Sequence, residues 1–287
     1  MKNRFVLYLL GMSFMLAIGA CKNNSNQNKD ITTPADTVAV IGKDTVDKFT
    51  QFKYDMIISN IPFPFEMLDK LFASKIVYNQ KITNPISNIS KYGINNSKAL
   101  NLGIYGADLA YSVTFEKFQQ IGPYVKNTKK LAEDLNIPLA FNQETMDKYN
   151  KYKDNKDSLA KVIFDSYTEV DKTLKNNERI GLAGLVVAGS WVEGLYLSTK
   201  SYSETPKTPE NKELYNVIWK QKLHLDNIIK LLIDFKKEPY FANLLNELNE
   251  IKSLYDHLAI GTELNEQELI LLTQKVEKLR NRIIEGV

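Results

Sequence analysis

The sequence predicts an all-α protein, a multi-helix bundle or layered helical array of about eight or nine helices around two glycine-rich, buried helices. Three observations support this fold class. Long segments repeat apolar residues at three- and four-residue spacing, and prolines separate these segments. No stretch of useful length alternates apolar and polar residues, although residues 37–41 could form one short, isolated strand. No repeat of fixed period is found, so a helical solenoid has no support.

The N-terminus has the organisation of a bacterial lipoprotein signal peptide. Lys2 and Arg4 precede an apolar run over residues 5–18, which is too short for a membrane-spanning helix. Residues 18–21, Ile-Gly-Ala-Cys, resemble the lipobox, in which the signal is cut before an acylated cysteine. We therefore predict lipidation of Cys21, with acyl chains such as palmitate as the membrane anchor. The alternative is an ordinary secreted protein with an accidental cysteine at the cleavage site.

The sequence divides into three parts. Residues 1–20 are the predicted signal peptide, residues 21–43 the acylated cysteine and a polar, flexible tether, and residues 44–287 a single helical domain. Among lipoproteins that the N-terminus resembles, an aspartate after the cysteine favours inner-membrane retention and an early acidic cluster favours surface export. Neither occurs, since the first acidic residue is Asp30. We expect anchoring in the outer membrane with the domain facing the periplasm.

The charge of the chain argues against nucleic-acid binding. The whole sequence has 37 basic and 34 acidic residues. Removing residues 1–20 takes away two basic residues, Lys2 and Arg4, and leaves 35 against 34, a formal charge of +1. Nucleic-acid sites depend on a strong positive field and on arginine side chains. Arginine occurs only at positions 4, 179, 280 and 282, so no nucleic-acid partner is expected.

Apolar periodicity and turn residues place the helices. The segment 84–93 is expected to be a loop, and the last three helices have clear apolar stripes. In the final helix Asn265 is a candidate N-cap, and Glu268 completes a capping-box pattern. Helices are predicted over residues 44–59, 65–78, 97–117, 119–135, 142–152, 158–174, 178–202, 209–235, 239–258 and 265–285.

The helix predicted over residues 97–117 is built for burial on several sides. Gly103 and Gly106 would allow a neighbouring backbone to approach closely, which offsets the cost of glycine inside a helix. One narrow polar stripe interrupts its apolar surface. Its members are spaced at i, i+4, i+7 and i+11, and they are Asn101, Tyr105, Asp108 and Ser112.

The helix predicted over residues 178–202 is the most apolar segment of the mature chain. Its apolar core, residues 180–192, is short for a membrane span and is interrupted by Glu193, so a buried central helix is expected. Glu178 at its start would suit the positive end of the helix dipole. Four glycines again indicate close helix contact: Gly181, Gly184, Gly189 and Gly194.

Asp108 and Glu193 need an explanation, because a buried carboxylate must be paired, hydrogen-bonded or protonated. The first interpretation is structural, with tyrosine hydroxyls, Asn101 or a basic residue such as Arg179 satisfying each carboxylate. The second is that the two central helices together form a polar-aromatic pocket for a small ligand. The candidate pocket residues are Tyr105, Asp108, Tyr111, Trp191, Glu193 and Tyr196.

Known catalytic and metal-binding motifs are absent from the sequence. His224 and His257 are the only histidines, and neither belongs to an HExxH motif or a Cys/His cluster. There is no phosphate-binding glycine loop and no nucleophile elbow around Ser190. We therefore expect no metal and no cofactor, and an enzyme is the least favoured of the function classes.

The segments NLGIYGADLAY (101–111) and NERIGLAGLVVAGSWVEGLYL (177–197) resemble a family of uncharacterised helical lipoproteins of Bacteroidetes. The resemblance extends over residues 50–240 and implies localisation but no mechanism. The leading functional hypothesis is an envelope lipoprotein with a helical accessory or interaction domain and an envelope protein as partner. The alternative is a periplasmic lipoprotein that binds a small molecule between the two central helices.

Overall fold

In a computed structural model of the chain, the residues described are 48–59, 61, 63–205, 208–209, 211–257 and 264–286. They contain ten α-helices and no β-strand, which confirms the all-α prediction; the number equals the ten ranges predicted one by one and exceeds the overall expectation of eight or nine. The signal peptide, Cys21, the tether and the short strand considered at 37–41 lie outside the described residues. The helices are α1 (Lys48–Ile58), α2 (Phe65–Ala73), α3 (Asn95–Thr114), α4 (Ile121–Asp134), α5 (Gln143–Lys151), α6 (Lys156–Asn176), α7 (Ile180–Ser203), α8 (Glu213–Leu232), α9 (Pro239–Asp256) and α10 (Glu266–Ile284).

Helices α3 and α7 form the centre of the fold. Every residue of α3 from position 99 to 114 is buried. Helices α2, α4 and α6 pack against α3, while α2, α6, α8 and α10 pack against α7. By length and composition α7 could cross a membrane, but 89% of its most apolar stretch is buried inside the described domain. It is therefore the core helix that the sequence predicted.

Two glycines allow α3 and α7 to touch backbone to backbone. A Cβ atom added at Gly103 would lie 2.0 Å from the carbonyl oxygen of Val186, and one added at Gly189 would lie 1.9 Å from that of Leu100. No real Cβ atom tolerates such distances. The close approach removes much apolar surface from water, which offsets the cost of glycine within a helix.

Four helices end in a left-handed turn made by a residue other than glycine. Lys75, Glu116, Asn136 and Glu178 have φ between 57° and 58°, immediately after α2, α3, α4 and α6. In each case the next backbone N–H bonds to a carbonyl five residues back, as Arg179 N–H does to Leu174 O at 2.8 Å. Glu178 thus forms the turn after α6 and directly precedes Arg179, the N-cap of α7, so α7 begins two residues later than predicted.

Asparagine side chains begin three of the helices. Asn142, Asn155 and Asn265 accept hydrogen bonds from the backbone N–H groups of Thr145, Ser158 and Glu268. At α10 the Glu268 carboxylate also accepts from the Asn265 N–H at 2.7 Å, which confirms the predicted capping box.

An irregular stretch joins α2 to α3. Residues 79–92, here called the connecting segment, contain the 3₁₀ turns Gln80–Ile82 and Ile86–Lys91. The prediction of a loop over 84–93 agrees with this, and the helix predicted to reach residue 78 ends at Ala73 instead. The connecting segment lies against α3, α4 and α10, because side chains of these helices bond to its backbone.

Candidate functional site

Asp108 and Glu193 meet in the centre of the fold, as the second sequence hypothesis required. Asp108 lies in the second half of α3 and Glu193 in the middle of α7, and both side chains are completely shielded from solvent. The close helix crossing at Gly103 and Gly189 brings these two carboxyl groups together. Two acidic groups this deep in a protein require a positive partner or a proton.

Arg280 of α10 is the positive partner. Its Nε and Nη2 atoms donate to the two carboxylate oxygens of Glu193, each at 2.9 Å, and Nη2 also donates to the Ile82 carbonyl at 3.0 Å. The Arg280 side chain is 5% exposed. Arg179, which the sequence suggested for this role, instead donates to the Leu135 carbonyl. The structural interpretation of Glu193 therefore holds with a different arginine.

The surroundings of Asp108 favour its neutral form. Its Oδ2 atom accepts a hydrogen bond from the Asn84 backbone N–H at 3.1 Å, whereas Oδ1 has no partner as long as the group is ionised. Burial raises the pKa of Asp108 well above its ordinary value, and the nearby Glu193 carboxylate raises it further, while Arg280 lowers it. The raised pKa favours the protonated form of Asp108, in which the carboxyl group could donate to the neighbouring Glu193 carboxylate.

The polar side chains of α3 form hydrogen bonds with backbone groups of neighbouring segments. Asn101 donates to the Ile283 carbonyl at 3.1 Å, and the Tyr105 hydroxyl donates to the Pro85 carbonyl at 2.9 Å. With the Asn84 N–H on Asp108, these bonds satisfy backbone groups of the connecting segment and of the end of α10. Since unpaired buried backbone groups are costly, Asn101, Tyr105 and Asp108 have a structural role, whereas Ser112 donates to the Asp108 carbonyl of its own helix.

The tyrosines of the predicted pocket are packed against these groups. The Tyr196 ring lies 4.7 Å from the Arg280 guanidinium, and burial raises the pKa of Tyr196 to about 12. Tyr111 accepts a hydrogen bond from the Asn79 N–H and stacks on Tyr78, with ring centroids 4.7 Å apart. Burial also raises the pKa of Tyr105. The raised pKa values keep the hydroxyls of Tyr196 and Tyr105 protonated at neutral pH.

Trp191 lies away from the two carboxyl groups. Its indole N–H donates to the Gln221 side chain of α8 at 3.1 Å, and its ring lines a cavity beside α6. The structure thus brings Asp108, Glu193, Tyr105 and Tyr196 into one buried cluster, with Tyr111 further along α3 and Trp191 on another side of α7. The six residues do not line one ligand pocket, because the cluster is filled by Arg280 and the connecting segment.

Sequence reasoning missed Arg280, although the sequence held a signal for it. Arg280 is four residues after Val276 and three before Ile283, so it occupies the apolar stripe of α10. A charged residue in such a stripe requires a buried partner. Asn84 gave no comparable signal, since it contributes its backbone N–H from an irregular segment.

No group of three or more His, Cys, Asp or Glu side chains converges as a metal site within the described residues. In comparisons with known proteins, no protein-family model, curated protein or solved structure matches the chain. The resemblance to helical lipoproteins of Bacteroidetes therefore stays a prediction from the quoted segments.

Proposed function

We propose that the chain is a lipoprotein anchored through Cys21 in the outer membrane, whose helical domain faces the periplasm and binds another envelope protein. The lipobox-like residues 18–21 and the polar tether support the anchor. The helical domain supports a binding rather than a catalytic role, because Asp108 and Glu193 are enclosed and are already engaged by protein groups.

The observation that carries the interaction role is the outer face of α1. Phe52 and Met56, one helical turn apart, are 64% and 58% exposed, whereas Tyr54 between them is 2% exposed. The charged residues beside them, Lys53 and Asp55, form ion pairs with Asp234 and Lys175. The face therefore offers two large apolar side chains between neutralised charges, and it suits an apolar groove on a partner protein.

Ligand binding between the two central helices, the alternative from the sequence, is not favoured at the position first considered. Asp108 and Glu193 lie close together, and their carboxyl groups are engaged by the Asn84 N–H and by Arg280, which also donates to the connecting segment. A small-molecule site elsewhere on α7 is considered below on separate evidence.

The test of the interaction role is crosslinking from defined positions in the native host. A photo-crosslinking amino acid replaces Phe52 or Met56 in the full-length, acylated protein, and Val77, which is 83% exposed on the chain after α2, serves as the matched control. We expect one or two stoichiometric envelope proteins to be captured from positions 52 and 56. With the crosslinker at position 56, the Phe52→Ser change should abolish this capture. Equal capture from position 77, or capture from none, would contradict the proposal.

The anchor is tested separately by labelling cells with a clickable palmitate analogue. We expect label in the wild-type protein and none in Cys21→Ala, which should keep its signal peptide and be lost from the outer-membrane fraction. Persistent labelling of Cys21→Ala would place the lipid elsewhere and contradict the lipobox assignment.

A further inference from the structure

A cavity of about 200 Å³, open to solvent on one side, lies between α6, α7 and the end of α1 with the residues that follow it. Its walls are mainly apolar and aromatic. Trp191 and Val187 contribute from α7, Tyr167 from α6, and Ile61 and Phe63 from the chain between α1 and α2. Phe63 and Tyr167 are packed together, with ring centroids 5.2 Å apart. The cavity is distinct from the buried cluster of Asp108, Glu193 and Arg280, none of which lines it.

Most polar groups on the cavity wall already have partners. The Tyr167 hydroxyl donates to the Leu102 carbonyl at 2.7 Å, and the Thr168 hydroxyl donates to the Phe164 carbonyl at 2.9 Å. Asp171, the charged residue on this wall, accepts from the Tyr54 hydroxyl and pairs with Lys175. These groups offer a ligand little, and the neutralised Asp171 gives no reason to expect a charged one.

Ser190 is different. It belongs to the cavity wall and is 6% exposed, and its shielded hydroxyl oxygen has no hydrogen-bond partner, so the side chain meets a ligand by turning about its Cα–Cβ bond. Serine and threonine in helices commonly donate to the carbonyl four residues back, as Thr199 of the same helix does to Leu195 at 2.9 Å. A buried hydroxyl without a partner costs free energy, and a ligand group that bonded to it would remove that cost.

We propose that this cavity is a binding site for a small, neutral aromatic molecule with one hydrogen-bonding group, such as a phenol, that bonds to the Ser190 hydroxyl. An engineered protein cavity of roughly 150 Å³ binds benzene, so the size suits one substituted ring. The aromatic walls provide flat contact surfaces. The inference is independent of the interaction role proposed for α1, because it concerns other residues and a different class of ligand.

The test uses p-cresol and toluene, which differ mainly by one hydroxyl group. The chain has two tryptophans, so Trp219→Phe leaves Trp191 as the reporter of cavity occupancy. Titration with p-cresol should give a saturable, 1:1 change in Trp191 emission. The affinity for p-cresol should exceed that for toluene by about 5-fold, as one hydrogen bond of about 1 kcal/mol provides. Ser190→Ala should remove this preference and leave toluene binding unchanged.

Val187→Phe fills the cavity from its half-buried wall and should weaken both ligands at least about 10-fold. Val77→Phe makes the same substitution on an exposed site outside the cavity and should have no effect. Circular dichroism checks that the variants fold. The inference is overturned if no saturable change occurs up to the solubility limit, or if a folded Val187→Phe binds as tightly as the parent. Should Val187→Phe not fold, an unchanged p-cresol preference in Ser190→Ala overturns it.

Discussion

Arg280 and Glu193, 87 residues apart in sequence, form an ion pair with two hydrogen bonds of 2.9 Å in the interior of the protein. The pair ties α10 to α7, and a third bond from Arg280 to the Ile82 carbonyl ties both helices to the connecting segment. Three parts of the chain that are distant in sequence therefore depend on one guanidinium group.

Replacing Arg280 with methionine should lower the free energy of unfolding by about 3–5 kcal/mol, because Glu193 would be left buried and unpaired. Urea denaturation measures the change. Lys275→Gln, on the same helix as Arg280, breaks an exposed pair with Glu250 of α9; it is the control and should change stability little. The double variant Arg280→Met with Glu193→Gln should recover part of the loss, since it removes the uncompensated charge. A single Arg280→Met variant as stable as the wild type would show that Glu193 is not buried as described.

Asp108 makes stability depend on pH in a defined direction. The folded-state pKa of Asp108 is raised, chiefly by burial, so the folded protein binds a proton more tightly than the unfolded chain does. This contribution is present in full below the ordinary aspartate pKa and is lost as pH rises through the raised pKa. Stability should therefore fall with rising pH above that ordinary value, by at most about 1.4 kcal/mol per pH unit for one proton.

Asp108→Asn tests this, because the amide imitates a neutral acid that accepts from Asn84 N–H and donates to Glu193. We expect the variant to lose the pH dependence that Asp108 contributes and to gain stability relative to wild type as pH increases from 5 to 9. Urea unfolding at each pH gives the comparison, with the exposed Asp147→Asn as control. Parallel wild-type and Asp108→Asn profiles would mean that Asp108 does not hold a proton.

The glycine contacts between α3 and α7 should tolerate no side chain. Gly103→Ala or Gly189→Ala would place a methyl group about 2 Å from a backbone carbonyl oxygen, and the helices would have to separate. We expect either change to cost more than about 3 kcal/mol or to prevent folding. Gly122→Ala in α4 meets no atom within 4 Å and should be neutral or stabilising by up to about 1 kcal/mol. Thermal unfolding of the three variants measures these effects. Equal melting temperatures would disprove the close backbone contact between α3 and α7.

The capping box at the start of α10 should make a measurable contribution. Asn265→Ala removes the acceptor for the Glu268 N–H, so we expect a loss of about 1 kcal/mol. Asn265→Asp keeps a capping oxygen and should retain most of the stability. If the alanine and aspartate variants unfold at the same denaturant concentration, the cap does not contribute.

The helices were predictable because their signals are local. Apolar spacing and prolines predicted the helices, and Asn265 with Glu268 correctly predicted the N-cap of α10. The ends of α2 and α3 were placed too late, since Lys75 and Glu116 form left-handed turns that glycine usually forms. Tertiary packing holds these turns, and no local residue preference indicates them.

The candidate site was predictable only in part. The buried meeting of Asp108 and Glu193 followed from two glycine-rich helices, each with a carboxylate. Trp191, which was predicted to line the same pocket, instead lies on another side of α7 and donates to Gln221. The ligand pocket expected from the six residues was not found at this position, since Arg280 and the connecting segment fill it.

The sequence by itself determined the helical class, the two central helices, the need to compensate two buried acids and the prediction of lipidation at Cys21. Periodicity, composition and short motifs encode these properties within a few turns of chain. Only the tertiary structure decided that Arg280 pairs with Glu193, that burial raises the pKa of Asp108, and that a pocket with Ser190 on its wall lies on another side of α7. Such facts depend on which distant segments meet, and the energy of a buried charge or hydroxyl is set by those neighbours.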